Sequence, residues 1–357
     1  MKWTLRAGLV CALFCVPARA AATVIAVGIA NKVKQATLRA EGDYSAIDQT
    51  TGQIRPLKRG ADYKVEADKG KIILGPHLFK GAARVLPGRP GEHLLIGGRR
   101  YSGNIIFQPN ADATLTVIDE VDLEEYLAGV LPREMSPDWP LEALKAQAVV
   151  ARTFALKNIG KHEDEGFDLT DDSSSQLYTG ITDVSTRVAQ AVTATQGQVL
   201  SYEGKLLAAY FHSTCGGHTI SPAEVWGGGP VPPPLRGVSC RHCKHSPHYR
   251  WEAYFRGDDI LRKLQARWNV ARLDKISTGR EGSNGLIQSL NIKVDGDWKT
   301  LPANVFRLWL GPADLKSARL TKIVRKSRGW LFRGKGYGHG AGLCQWGARL
   351  MAVDKRE

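Results

Sequence analysis

Residues 21–118 show short apolar runs broken by turn residues. The runs 24–29, 71–74, 93–96 and 104–107 are bounded by Gly42, Gly52, Gly60, Gly70, Pro87-Gly88 and Gly97-Gly98, which predicts short strands joined by turns. Nothing in this region has the residue types of a catalytic centre. From Val121 the period changes. Leu123, Tyr126, Leu127, Val130 and Leu131 recur at helical spacing, and Pro132 is expected to stop that helix. A second helix is predicted to open at Trp139-Pro140, with proline at the first position, and to run through Leu141, Leu144, Ala148, Ala151 and Ala155 before Gly160. The connection 133–138 carries Glu134, a carboxylate flanked by two amphipathic helices. Further along, 198–202 and 206–211 bracket Glu203-Gly204 as a hairpin leading into His212. A helix is expected over 258–268, strands over 286–294, 322–324 and 329–333, and a last helix near Leu343. The pattern predicts an α+β fold, with a β-rich N-terminal domain over 21–118 and a mixed α/β domain over 119–357.

The first twenty residues stand apart. Lys2 and Arg6 precede an apolar stretch over 7–16, then Pro17 and Ala18-Arg19-Ala20, which predicts a secretory signal peptide over 1–20 cleaved after Ala20. Phe14 before Cys15 and Val10 before Cys11 argue against a lipoprotein anchor. The expected location is the periplasm, cell wall or extracellular space, with no transmembrane anchor left after cleavage. No apolar run reaches the roughly 18–20 residues that span a bilayer, which excludes a multi-pass membrane protein.

Composition adds a partner class. The 357 residues are 43% hydrophobic and 24% charged, as in a globular chain, with a formal net charge of +14. Losing Lys2, Arg6 and Arg19 leaves +11, so the basic bias belongs to the mature chain and calls for an anionic partner. Export makes nucleic acid an improbable one and leaves wall polymers and lipid surfaces.

Export also reduces six cysteines to four: Cys215, Cys240, Cys243 and Cys344. Four cysteines in an oxidising compartment can form two disulfides, such as Cys215–Cys240 with Cys243–Cys344. Cys240-x-x-Cys243 is equally a metal-ligand spacing, with His212, His218, His242, His245 and His248 nearby. Cys215, Cys240 and Cys243 would then supply three zinc ligands, with Cys344, His212 or His218 as the fourth. Such a zinc would be structural, and ligand spacing favours it over the disulfides.

Four segments carry more chemistry than a scaffold needs. In 131–156, Arg152 falls on or beside the apolar face of the second helix, where a guanidinium requires a carboxylate or carbonyl partner. Segment 168–180, DLTDDSSSQLYTG, is dense in hydroxyl and amide groups suited to sugar, or to a simple turn. Segment 210–219, YFHSTCGGHT, ends a strand on two glycines; segment 334–348 places six glycines around His339. There is no Gly-x-Ser-x-Gly elbow, no His-Glu-x-x-His helix and no nucleotide-binding glycine loop.

Together, VDLEEYLAGVLPREM, WPLEALKAQAVVARTFAL, SSSQLYTG, YFHSTCGGHT and GYGHGAGLCQWGA resemble, in order and spacing, the SpoIID/LytB family of bacterial cell-wall proteins, over about residues 93–348. The resemblance implies a peptidoglycan-binding protein and, for one branch, a lytic transglycosylase acting on MurNAc-GlcNAc β-1,4 bonds of stem-peptide-free glycan. It places the catalytic glutamate at Glu134 and a substrate groove at Arg152, Ser175, Gln176, Tyr178, His212, Ser213, His339 and Gln345. Some members bind zinc near the histidine motif. Chemistry agrees with a solitary carboxylate. Hydrolysis ordinarily needs two carboxylates. A transglycosylase needs one, because the muramic C6 hydroxyl attacks the anomeric carbon and closes a 1,6-anhydro ring. The competing reading is a non-catalytic amidase enhancer that presents glycan to an N-acetylmuramoyl-L-alanine amidase. A salt bridge from Glu134 to Arg133 or Arg152 would be the purely structural alternative. Two departures from the family are visible: the chain stops at Glu357, where relatives usually continue, and Cys344 stands where serine is common.

Overall fold

A computed structural model describes residues 23–181 and 185–354. The predicted signal peptide lies outside the described residues. The fold is α+β, as the pattern predicts, and divides into two compact units, one ending at Ala208 and the other spanning Ala209–Glu357.

The first unit contains two large, mainly antiparallel sheets. One runs in the order Leu169–Thr170, Val24–Val33, Leu115–Asp122, Asn104–Pro109, Ala83–Pro87, Tyr44–Asp48 and Ile54–Leu57; only its Leu169–Thr170 edge pairs in parallel. The other has six antiparallel strands, in the order Arg99–Tyr101, Leu94–Ile96, Gln35–Ala40, Asp62–Asp68, Lys71–Leu74 and His77–Phe79. Leu115–Asp122 is central, pairing with Val24–Val33 and Asn104–Pro109, and Leu115, Val117, Ile118 and Val121 are buried. The strand therefore runs through position 118 and delivers the chain into the helices.

Asp122 caps helix α1 (Leu123–Glu134), its carboxylate accepting from the amides of Glu124 and Glu125. Pro132 does not end α1. It loses one N–H in the last turn, and the helix closes past it through Met135 N–H to the Leu131 carbonyl at 2.9 Å. Glu134 is thus the final residue of a helix rather than part of a free connection. Helix α2 (Leu141–Lys157) follows, with Pro140 as its N-cap, and packs against α1 and helix α3 (Thr186–Ala194). The hairpin forms where expected, Ser201–Tyr202 with Lys205–Leu206, turning through Glu203 and Gly204 at φ 49° and 74°.

The second unit carries helix α4 (Pro222–Trp226), helix α5 (Gly257–Gln265), helix α6 (Ala303–Leu310) and helix α7 (Gln345–Asp354). Two three-stranded sheets, centred on Gly329–Lys335 and Ser289–Val294, enclose a core of Trp251, Ile260, Leu264, Leu290, Ile292, Phe306, Trp330 and Phe332. A short parallel pair, Phe211–His212 with Leu343–Cys344, joins the histidine motif to the glycine motif. Residues 249–335 hold 19 Lys and Arg against eight Asp and Glu, whereas 21–248 and 336–357 together hold 27 of each. The +11 excess therefore belongs to this stretch alone. No helix among the described residues is long and apolar enough to cross a membrane.

Candidate active site and metal centre

Glu134 is positioned by the polar segment 168–180. Its Oε1 accepts the Leu177 amide N–H at 3.0 Å. The residues on either side of Leu177 are anchored inward. Tyr178 OH donates to Asp119 Oδ2 at 2.7 Å, and Gln176 Oε1 accepts from Tyr126 OH at 3.2 Å. Gln176, Tyr178, Tyr126 and Asp119 are fully buried, and the Tyr126 and Tyr178 rings stand 5.0 Å apart. Gly129 makes this approach possible: a Cβ there would lie 2.6 Å from both the Gly180 carbonyl and the Tyr178 ring. The start of the segment is a turn, in which Asp172 Oδ1 accepts from the Ser174 amide and hydroxyl while Ser175 Oγ accepts from Thr170 N–H.

Burial raises the Glu134 carboxyl above its ordinary value, outweighing the Leu177 amide, which favours the charged form. Asp119 is pushed up to about 7, by burial first, with the Tyr178 hydroxyl opposing and Glu125 and Glu120 adding to the rise. Burial also raises Asp171, whose Arg99 partner at 3.4 Å works against it.

The other residues of the expected groove have distinct placements. Arg152 is buried, and its guanidinium donates to Glu124 through Nε at 2.8 Å and Nη2 at 2.6 Å, and to the Gln198 carbonyl through Nη1 at 3.1 Å. The partner that a buried guanidinium requires is therefore Glu124, and Arg152 ties α2 to α1. Arg133 donates from Nε to Thr179 Oγ1 at 2.9 Å. The hydroxyl of Tyr178 and the carbonyl of Gln176 serve the support beneath Glu134 rather than an open surface.

His212, Ser213, His339 and Gln345 lie in the second unit. His212 donates from Nδ1 to the Ala341 carbonyl at 2.9 Å, and its ring stands 5.6 Å from that of His339. Burial lowers His212 to about 4 and His339 to about 3, so both are neutral near pH 7. Close backbone approach explains one glycine of the second motif: a Cβ on Gly342 would sit 2.0 Å from the Tyr210 carbonyl. Gln345 is buried at the start of α7.

The four cysteines converge. Their sulfurs all lie within 4.8 Å of one another, and none is disulfide-bonded. Four thiolates around a tetrahedral zinc stand about 3.8 Å apart, so the donor set fits such an ion. Cys344 Sγ accepts the amides of Cys215 and Gly347, each at 3.3 Å, as a thiolate ligand would. Gly347 leaves room for it, since a Cβ there would press on Cys240 and Cys344. The neighbouring thiols hold Cys240 well below the usual thiol range and push Cys215 and Cys344 well above it. Cys243 is lowered as well, to about 7, chiefly by the Cys215 thiol, so two sulfurs lean toward the thiolate while two are held protonated, a conflict that a dication would remove. Among the three candidates for fourth ligand, Cys344 joins the group. His212 and His218 instead place Nδ1 on the Ala341 and Thr219 carbonyls.

Asp119, Glu124 and Trp226 were not among the expected functional residues. Asp119 had a signal in the sequence, a carboxylate directly after the apolar run Val117-Ile118. Glu124 had one as well, a first-turn acid on α1 facing the apolar side of α2.

The sequence model of the SpoIID family, described as stage II sporulation protein, matches residues 111–202, which include α1, Glu134, α2 and the 168–180 segment. An uncharacterised protein of Brachyspira hyodysenteriae is 38% identical over 263 residues, covering 73% of this chain and 69% of that one. Stage II sporulation protein D of Bacillus subtilis is 28% identical over 254 residues, covering 66% and 70%. The Amidase enhancer of Bacillus subtilis is 26% identical over 345 residues, covering 83% of this chain but about half of its own length, 48%. The motifs, their order and these similarities make the chain a member of the SpoIID family.

Proposed function

We propose that this protein is an exported lytic transglycosylase that cleaves MurNAc-GlcNAc β-1,4 bonds in stem-peptide-free glycan strands, with Glu134 as the acid and base. The observation that carries this reading is a half-buried carboxyl at the end of α1, raised by burial and aimed by the Leu177 amide. In the proposed reaction Glu134 gives its proton to the leaving glycosidic oxygen as the bond to the anomeric carbon breaks. The C6 hydroxyl of the same muramic residue bonds to that carbon and returns its proton to Glu134, closing the 1,6-anhydro ring. A raised pKa keeps the acid form populated at higher pH, so the cleavage rate should fall as pH rises through the Glu134 value. Ser175, Gln176 and Tyr178 support the loop that positions Glu134 and Arg152 ties α2 to α1, while His212, Ser213, His339 and Gln345 are proposed to line the glycan path.

Zinc held by Cys215, Cys240, Cys243 and Cys344 would be structural, because four protein ligands leave no open position for chemistry. Its contribution is to fix the histidine and glycine motifs. The anionic partner is the glycan itself, through the lactyl carboxylate of each muramic residue.

The similarity to a protein named Amidase enhancer favours a second reading, in which the chain binds peptidoglycan and stimulates a cell-wall amidase. Mass spectrometry of products from purified peptide-free glycan separates the two. Wild type should release anhydro-muramic ends and Glu134→Gln should release none. Reducing ends would mean hydrolysis, and an absence of products from both proteins would favour the enhancer.

A further inference from the structure

Trp226 ends α4 with 48% of its surface exposed, yet its ring is not loose. It stands 4.9 Å from the ring of Tyr210 and 4.8 Å from that of His339, so two partly covered rings support it. The helix beneath is fixed. Val225 packs on the apolar core of the unit, and the Glu224 carboxylate accepts from both the amide and the hydroxyl of Ser283, at 2.8 and 2.7 Å. Beyond the ring come Gly227, Gly228 and Gly229, none of which has an atom within 4 Å of where a Cβ would sit. The indole is therefore rigid and exposed, and it is flanked by bare backbone with open space around it.

A protein-binding hot spot is normally ringed by side chains that exclude water. Three open glycines do not provide that ring. They do give a flat ligand access to an aromatic face and to backbone donors and acceptors. A pyranose suits this geometry. Its axial C–H groups form an apolar face that stacks on an indole, while its equatorial hydroxyls and amides reach outward to polar groups.

We propose that Trp226 is the stacking platform of a sugar subsite, taking the apolar face of an N-acetylated pyranose in a glycan strand. The inference rests on the glycan-cleaving reading for its substrate class, and it adds a residue that the sequence motifs did not single out. Trp226 acts through binding and takes no part in proton transfer.

The test measures affinity for uncharged N-acetylglucosamine oligomers and for peptide-free glycan, using the full chain with Glu134→Gln so that nothing is cleaved. Adding Trp226→Ala or Trp226→Leu should weaken binding about tenfold, because both lose the aromatic face. Trp226→Phe should keep most of it. In the active chain, Trp226→Ala should raise KM with kcat within about twofold. Unchanged melting of the leucine and phenylalanine variants excludes misfolding as the cause. Equal binding by Trp226→Leu and its parent overturns the platform while leaving Glu134-dependent cleavage intact. Loss of amidase capture with glycan binding retained overturns it in favour of a protein contact. If the parent binds no glycan and wild type releases no products, the substrate reading and the platform fail together.

Discussion

Among the described residues, Asp119 is a buried carboxylate with a single donor, the Tyr178 hydroxyl, and its Oδ1 has no partner. A charge in that position is costly, so burial drives the group toward its neutral form. In the unfolded chain the same side chain titrates near 3.9. The folded value is raised to about 7, so the stability it contributes is present below about 4 and is lost as pH climbs toward 7. Asp119→Asn should flatten that decline. Urea unfolding at pH 4.5 and 7.5 should show the wild-type-minus-variant difference shifting by roughly 2–4 kcal/mol. A difference independent of pH would mean that Asp119 is ionised in both states. The link to Glu134 is short. Tyr178 follows Leu177, so a loosened hydroxyl beneath the loop should loosen the amide that aims the carboxyl.

At the scale of elements, the surprises come from backbone continuity and from long-range pairing. Pro132 looked like a stop because proline removes an N–H and crowds the preceding turn. In the last turn one missing bond is tolerated, and the helix carries Glu134 into place. The cysteines illustrate the second case. Cys240-x-x-Cys243 was legible as a ligand pair, but Cys215 and Cys344 lie 129 positions apart and meet because Phe211–His212 pairs in parallel with Leu343–Cys344. If an ion staples these elements, metal analysis of purified protein should find one zinc per chain. Chelation, or Cys344→Ala, should then lower the melting temperature, with all four thiols of the chelated wild type, and the three left in the variant, becoming reactive to a thiol reagent. A metal-free chain with two disulfides by mass would overturn the staple.

For the whole molecule, the decisive quantity is where charge resides. Averaged over the chain, the basic excess called for an anionic partner without placing it. Counted by region, it sits entirely in 249–335, a stretch built on its own apolar core, while the part of the chain that holds Glu134 is near neutral. The electrostatic contribution to glycan binding should therefore belong to 249–335 and be separable from cleavage. Raising salt from 50 to 500 mM should weaken retention on muramic-containing glycan several-fold and leave binding of uncharged oligomers nearly unchanged. Equal salt dependence for both ligands would remove the electrostatic role.

What the sequence determined by itself was whatever depends on local period and on residue type. The strands near 71–74 and 104–107, helices α1 and α2, the Glu203-Gly204 hairpin and the four-cysteine set were legible because side-chain periodicity, turn preference and ligand chemistry act over a few residues. Glu134 was legible through its motif, and Arg152 through its need for a partner. The tertiary structure decided which partner each group found: Glu124 for Arg152, Asp119 for Tyr178, Leu177 for Glu134, Cys344 for the other cysteines, and Tyr210 with His339 for Trp226. Those pairings join residues far apart in the chain. Their strength comes from burial, which sets how far a carboxyl shifts and how much an unpaired group costs, and burial exists only once the chain has folded.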